Sequence, residues 1–206
     1  MIAGILIPLG TAVVTLAGGW FVTTRVADHW DQIKKRRELD LAAAGDFQRL
    51  YGEFFSVWKA WDSISRRKLE IKDSAEAAWE CLNRAAEIEG RVEALLARIS
   101  AEHELSTDDI DALGAMRQGF QSLRGAIKRN EPLEWRSSEA KPYLAFKGLA
   151  AYTSRLLGAS SNFKSAPDNT VAAANFRRIT SNKHEFIWVE TANRLGLTAN
   201  SSDPQH

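Results

Sequence analysis

Few side chains in this sequence are suited to chemistry, and their spacing decides what each could do. Four histidines stand at His29, His103, His184 and His206. No two lie three or four residues apart and no HExxH motif occurs, so no helix face offers paired imidazoles to a metal. Glu102, His103 and Glu104 have the composition of a ligand cluster. Consecutive residues point to different sides of a helix, however, so a solvated helix end is the better reading and no metal is expected. Ser106 and Thr107 precede Asp108, Asp109 and Asp111. A hydroxyl cap followed by acids is what the positive end of a helix dipole favours. A calcium loop of the EF-hand kind needs a glycine and a glutamate that this stretch does not place. Cys81, the one cysteine, lies between Trp79 and Leu82 in an apolar helical pattern. That suits a buried, inert thiol and excludes an internal disulfide or a cysteine-based zinc cluster. There is no phosphate loop, GxSxG elbow or dinucleotide fingerprint, and no cofactor is expected.

One spacing remains. The stretch FRRITSNKHEF sets Arg178 six positions before His184 and Arg177 seven before it. This resembles the motif of the HEPN nucleases, helical-bundle proteins in which an arginine is followed, after four to six residues, by a histidine. The resemblance covers the eight residues from Arg177 to His184 and falls near the start of the last predicted helix of an all-α domain. It implies metal-independent RNA cleavage by a dimer that pairs two such motifs. His184 would handle the proton of a 2′-hydroxyl, and Arg178 would steady charge on the phosphorane. Ile179 stands where that family usually carries a polar residue. The alternative is a basic surface beside a loop, formed by Arg177, Arg178, Lys183 and His184 and pairing with nearby acids.

The elements that must position these groups read as helices. Phe47, Tyr51, Phe54, Trp58 and Trp61 recur at steps of three and four, and Leu50, Val57, Ile64 and Ile71 form a second row seven apart. A second helix is predicted over about 74–104, with Trp79, Leu82, Ala86, Val92, Leu95, Leu96 and Ile99 on its apolar side. A third begins at the Ser106 cap and carries Ile110, Leu113, Met116, Phe120, Leu123 and Ile127. It ends before Asn130-Glu131-Pro132, in a loop that holds Trp135. A fourth spans about 138–158. Residues 159–169 make the best linker, and a last helical region runs from Val171 to Leu195. Only FIWV (186–189) could pass for a short strand.

The first residues read differently. IAGILIPLGTAVVTLAGGWFVTT is 23 residues without a charge, long enough as a helix for a bilayer core of about 30 Å. Nothing but Met1 precedes it, which argues for an uncleaved anchor over a signal peptide. Arg25, Lys34, Lys35, Arg36 and Arg37 follow, and the positive-inside rule puts them in the cytoplasm with the N-terminus outside. Trp20 and Trp30 suit the headgroup layer, so the expected lipid-facing set is Trp20, Arg25, Trp30, Lys34, Lys35, Arg36 and Arg37. A plain topology signal is the simpler reading of the basic run. Thr11, Thr15 and Gly18 or Gly19 form a small-residue stripe through which two copies could associate.

The expected organisation is a transmembrane helix over 1–24, a basic juxtamembrane segment over 25–37, an all-α cytoplasmic bundle of four or five helices over 38–197, and a disordered tail over 198–206. The expected location is the inner (plasma) membrane. With 27 Lys+Arg against 26 Asp+Glu among 206 residues, charge balance argues against a dedicated nucleic-acid binder. No DNA partner is expected, and RNA enters only with the nuclease reading. The leading expectation is a single-pass, membrane-anchored interaction or scaffold protein, non-enzymatic, whose partners are the lipid bilayer and another protein or a second copy of itself. The alternative is a membrane-tethered HEPN-like ribonuclease using Arg178 and His184.

Overall fold

The computed structural model describes residues 3–67, 71–135, 141–158, 166–185 and 187–198, with side chains from residue 25 onward except at 67 and 71–74. Its elements are α1 (Ala3–Arg67), α2 (Ile71–Glu102), α3 (Thr107–Lys128), α4 (Lys141–Gly158), α5 (Asn169–Ile179) and α6 (Trp188–Arg194), with a 3-10 turn at Asn182–His184 between the last two. No strand occurs among the described residues, so the all-α expectation holds. Two compact units divide the chain, Met1–Leu41 and Ala42–His206.

No helix among the described residues is long and apolar enough to cross a membrane. This corrects the expected single-pass anchor over 1–24. With it go the placement in an inner (plasma) membrane and the assignment of the bundle to the cytoplasm. That expectation drew on side chains at 1–24, which lie outside the described residues, as does the Thr11–Thr15–Gly18 stripe. From residue 25 α1 carries Arg25, Asp28, Asp31, Lys34, Lys35, Arg36, Arg37 and Glu38. Each such charge costs about 2.5 kcal/mol or more at a bilayer centre, so this part of the helix cannot serve as a span.

In the unit from Ala42 onward, α1 runs on through Gly45 and Gly52 without a break. Its face of Phe47, Leu50, Phe54, Val57 and Trp61 is buried, as the three-and-four spacing requires. Phe54 lies at the centre of an aromatic cluster, with ring centroids 4.4 Å from Phe146, 5.3 Å from Phe120 and 5.8 Å from Trp135. On α2 the buried stripe is Cys81, Ala85, Ile88, Val92, Leu96 and Ile99. Trp79 was expected on that side and is 63% exposed instead. At 100° per residue it falls nearly opposite Ile88, so helical phase overrides its apolar character.

The central helix is α3, against which α2, α4, α5, the 3-10 turn and α6 all pack. It begins as expected: Ser106 Oγ accepts from the Asp109 backbone N–H (3.1 Å), and Asp109 Oδ2 accepts from the Ser106 N–H (2.8 Å). Its middle is enclosed on nearly every side, Ala112 through Phe120 being buried without interruption. Two glycines make that possible. A Cβ on Gly114 would collide with the edge of the His184 ring, and one on Gly119 with the edge of the Phe146 ring. The chain leaves α3 through Asn130, at φ 57°, into the loop that carries Trp135.

The expected last helical region is three pieces. α5 is capped by Asp168, whose Oδ1 accepts from the Thr170 N–H (3.1 Å), and it ends at Ile179. The 3-10 turn and α6 follow, with Trp188 and Val189 of the suspected strand at the start of α6. Phe186, most of the expected linker (159–165) and the tail from 199 lie outside the described residues.

Candidate functional site

Arg178 and His184 do not lie together on a last helix. Arg178 is exposed in the final turn of α5, and His184 closes the 3-10 turn after it. His184 is turned inward onto Gly114 and is 1% exposed. Neither ring nitrogen has a hydrogen-bond partner of regular geometry among the described residues. Burial pushes its imidazole below the usual histidine pKa, and the Lys183 ammonium and the more distant Arg117 press the same way. Asp111 and the Arg178 backbone pull in the opposite direction without reversing the result. A neutral ring under a lid of protein cannot reach a ribose hydroxyl, so the geometry weighs against a catalytic base here.

The lid is an ionic clasp. Lys183 Nζ lies 3.0 Å from Asp111 Oδ1, and Arg194 reaches both Asp108 (2.9 Å) and Asp111 (3.1 Å). Asp109 is occupied as well, by the Ser106 cap and by the Tyr152 hydroxyl, which donates to its Oδ1 (2.6 Å). All three acids therefore have partners, and capping plus clasping accounts for them. Cys81 is buried as expected, and burial, then Glu80, raises its thiol pKa away from reactivity. Glu102 ends α2 and pairs with Arg98 (3.0 Å), while His103 beyond it is buried. Of the lipid-facing set, Arg25, Trp30, Lys34, Lys35 and Arg37 are exposed on α1 and Arg36 is partly buried. The Trp20 side chain lies outside the described residues.

The feature that sequence reading missed lies beside His184. The bundle opens there into a cleft of about 1020 Å³. One wall is a stripe of α3 running through Gln118, Gln121, Ser122, Gly125 and Lys128 to Arg129, about 16 Å at the helical rise. The other wall is Asn182, Glu185, Trp188 and Val189, and the loop Glu131–Trp135 bounds it between. That loop is fastened down. Trp61 Nε1 donates to the Glu131 carbonyl (2.8 Å), and Trp135 packs 5.4 Å from Trp188 and 5.2 Å from Phe146.

Gln118, 4% exposed, is the most buried polar side chain of the lining. Its backbone carbonyl accepts from Ser122 Oγ (2.8 Å), yet its side-chain amide makes no hydrogen bond among the described residues. Its neighbours are committed: Arg117 donates to Glu93 (2.6 Å), and Gln121 and Arg124 both donate to Glu89 (3.0 and 3.1 Å). Arg129 pairs with Glu131 (2.7 Å). Lys128, Glu134 and Glu185 have no ion-pair partner among the described residues. The cleft thus offers one amide without a partner among the described residues, two tryptophans and three uncommitted charges. Its signal in the sequence was the row of polar residues Arg117, Gln118 and Gln121 inside an otherwise apolar helix flanked by glycines. Compared with known proteins, the chain matches no family model, no curated protein and no solved structure.

Proposed function

We propose that the chain is a non-enzymatic helical interaction module, a rigid bundle that presents one cleft to another protein. The observation that carries this reading is the cleft between α3, the Glu131–Trp135 loop and the Asn182–Val189 segment. Its groups can hold a polar ligand with apolar parts: an amide, indoles, ammonium and guanidinium cations and carboxylates. The one hydroxyl lining it, Ser122, is spent on the Gln118 carbonyl. The Gln118 side-chain amide has no hydrogen-bond partner among the described residues, so an occupant that covers it must supply hydrogen bonds to it.

The test is a photo-crosslinking side chain placed at position 128 of the full chain in cells, with position 87 on the exposed face of α2 as control. Discrete protein adducts from 128 that are missing from 87 are expected; the same adducts from both positions, or none, refute the module. The ribonuclease reading has its own experiment. RNA cleavage by the full chain that is lost in His184→Ala would replace the module with an enzyme.

A further inference from the structure

The cleft has polarity as well as shape, and its two ends differ. His184 stands on Gly114, one helical turn before Gln118, so Asn182 and Glu185 border the Gln118 end of the α3 stripe. Lys128 and Arg129 lie at the other end, about 16 Å away at the helical rise. Between them the floor is apolar and aromatic, made by Leu133, Trp135 and Trp188, all buried. Among the described residues the uncommitted lining charges are two acids, Glu134 and Glu185, and one base, Lys128.

Each feature selects against some occupants. A polyanion such as an RNA strand would set its phosphates against Glu134 and Glu185. A purely apolar ligand would leave the Gln118 amide buried and unsatisfied. A primary amide offers one carbonyl and one NH2 group, which match the N–H and C=O of a peptide backbone. A length of about 16 Å accommodates roughly four to five extended residues at about 3.3 Å each.

Resting on the interaction-module reading, we infer that the cleft takes an extended peptide segment of a partner protein. The segment is basic where it meets Glu185, apolar over Trp135 and Trp188, and acidic where it meets Lys128, with one of its peptide groups on the Gln118 amide. The register follows from the cleft: a basic and an acidic residue three or four positions apart, with an aliphatic or aromatic side chain between them.

The experiment is selection of a random heptapeptide display library on the immobilised full chain, with Lys128→Glu selected in parallel. The wild type is expected to enrich the basic–apolar–acidic pattern, and Lys128→Glu to replace its acidic position with a basic one. A synthetic peptide of the enriched sequence, followed by fluorescence anisotropy, should bind Gln118→Leu about tenfold more weakly, with thermal unfolding of both variants checked alongside. No enrichment over the bare support, or a consensus that Lys128→Glu leaves unchanged, overturns the inference. The two failures are distinguishable. Cellular adducts from position 128 without a peptide consensus leave the module standing and remove the peptide. Absence of adducts removes the module, and with it the partner whose segment the cleft would take.

Discussion

His184 and Gly114 show how one side chain can fix a junction. The ring occupies the space a Cβ would need, so Gly114→Ala forces the 3-10 turn away from α3. Overpacking of that kind costs about 1–3 kcal/mol, and chemical denaturation of the variant should show a loss in that range. The same burial gives the ring a pH dependence with a definite sign. Its pKa in the fold lies below 6.5, so the unfolded chain binds a proton first as pH falls. The contribution of neutral His184 is therefore complete above pH 6.5 and is lost as pH drops toward the folded value, at up to about 1.4 kcal/mol per pH unit. The groups that act on the ring from its own turn, α3 and α5 are Lys183, Asp111, Arg117 and the Arg178 backbone, and the informative interval for the imidazole is about pH 5 to 7.5. Comparing wild type with His184→Asn across that interval cancels the other histidines. The wild type should lose stability more steeply; parallel curves would show that the ring is not held neutral by the fold.

At the scale of elements, α3 organises the bundle and its start is set by local chemistry. Ser106→Ala removes the side-chain half of the capping box and should cost about 1 kcal/mol by the same denaturation measurement. Asp109 belongs to two elements at once, because Tyr152 of α4 donates to it. Burial first, then this hydrogen bond, raises the Tyr152 pKa to about 12. A raised phenol pKa means the unfolded chain loses its proton first, near 10, so this tyrosine's stabilisation is full below pH 10 and disappears between pH 10 and about 12. Tyr152→Phe should flatten that part of the alkaline unfolding curve, while Tyr51, also raised to about 12 by burial, continues to titrate. These elements also show what a sequence can and cannot reveal. The Ser106 cap, the end of α3 before Asn130 and the buried face of α1 were legible because each is written in residues close along the chain. Trp79 misled because its apolar character was weighed above its phase on α2. The break between α5 and α6 was invisible because the inward turn of His184 depends on Gly114, far off in sequence. The cleft was invisible for the same reason. Gln118 reads as an ordinary polar residue until the Glu131–Trp135 loop and the Asn182–Val189 segment are brought beside it.

For the molecule as a whole, the question is how much chain the bundle needs. Ala42–His206 forms a compact unit, and the buried apolar side chains that α1 gives it begin at Ala43. A chain starting at Glu38 keeps every one of them, together with the Trp61 bond to Glu131 that fastens the loop beneath the cleft. It should unfold in one cooperative transition with a midpoint within a few degrees of the full chain, as calorimetry would show. A chain starting at Asp62 tests the converse. It lacks Phe47, Leu50, Phe54, Val57 and Trp61, each fully or almost fully buried. At roughly 1.5–3 kcal/mol for each buried large side chain the loss is on the order of 10 kcal/mol, comparable to the whole net stability of an ordinary domain. The aromatic cluster would also lose its centre, since Phe54 is the ring that meets Phe120, Trp135 and Phe146 together. The shorter chain should therefore show no cooperative transition and little protection of α3 amides from exchange. If it melted like the longer one, the second half of α1 would be an appendage, and the cleft would have to be held open by α2 to α6 alone.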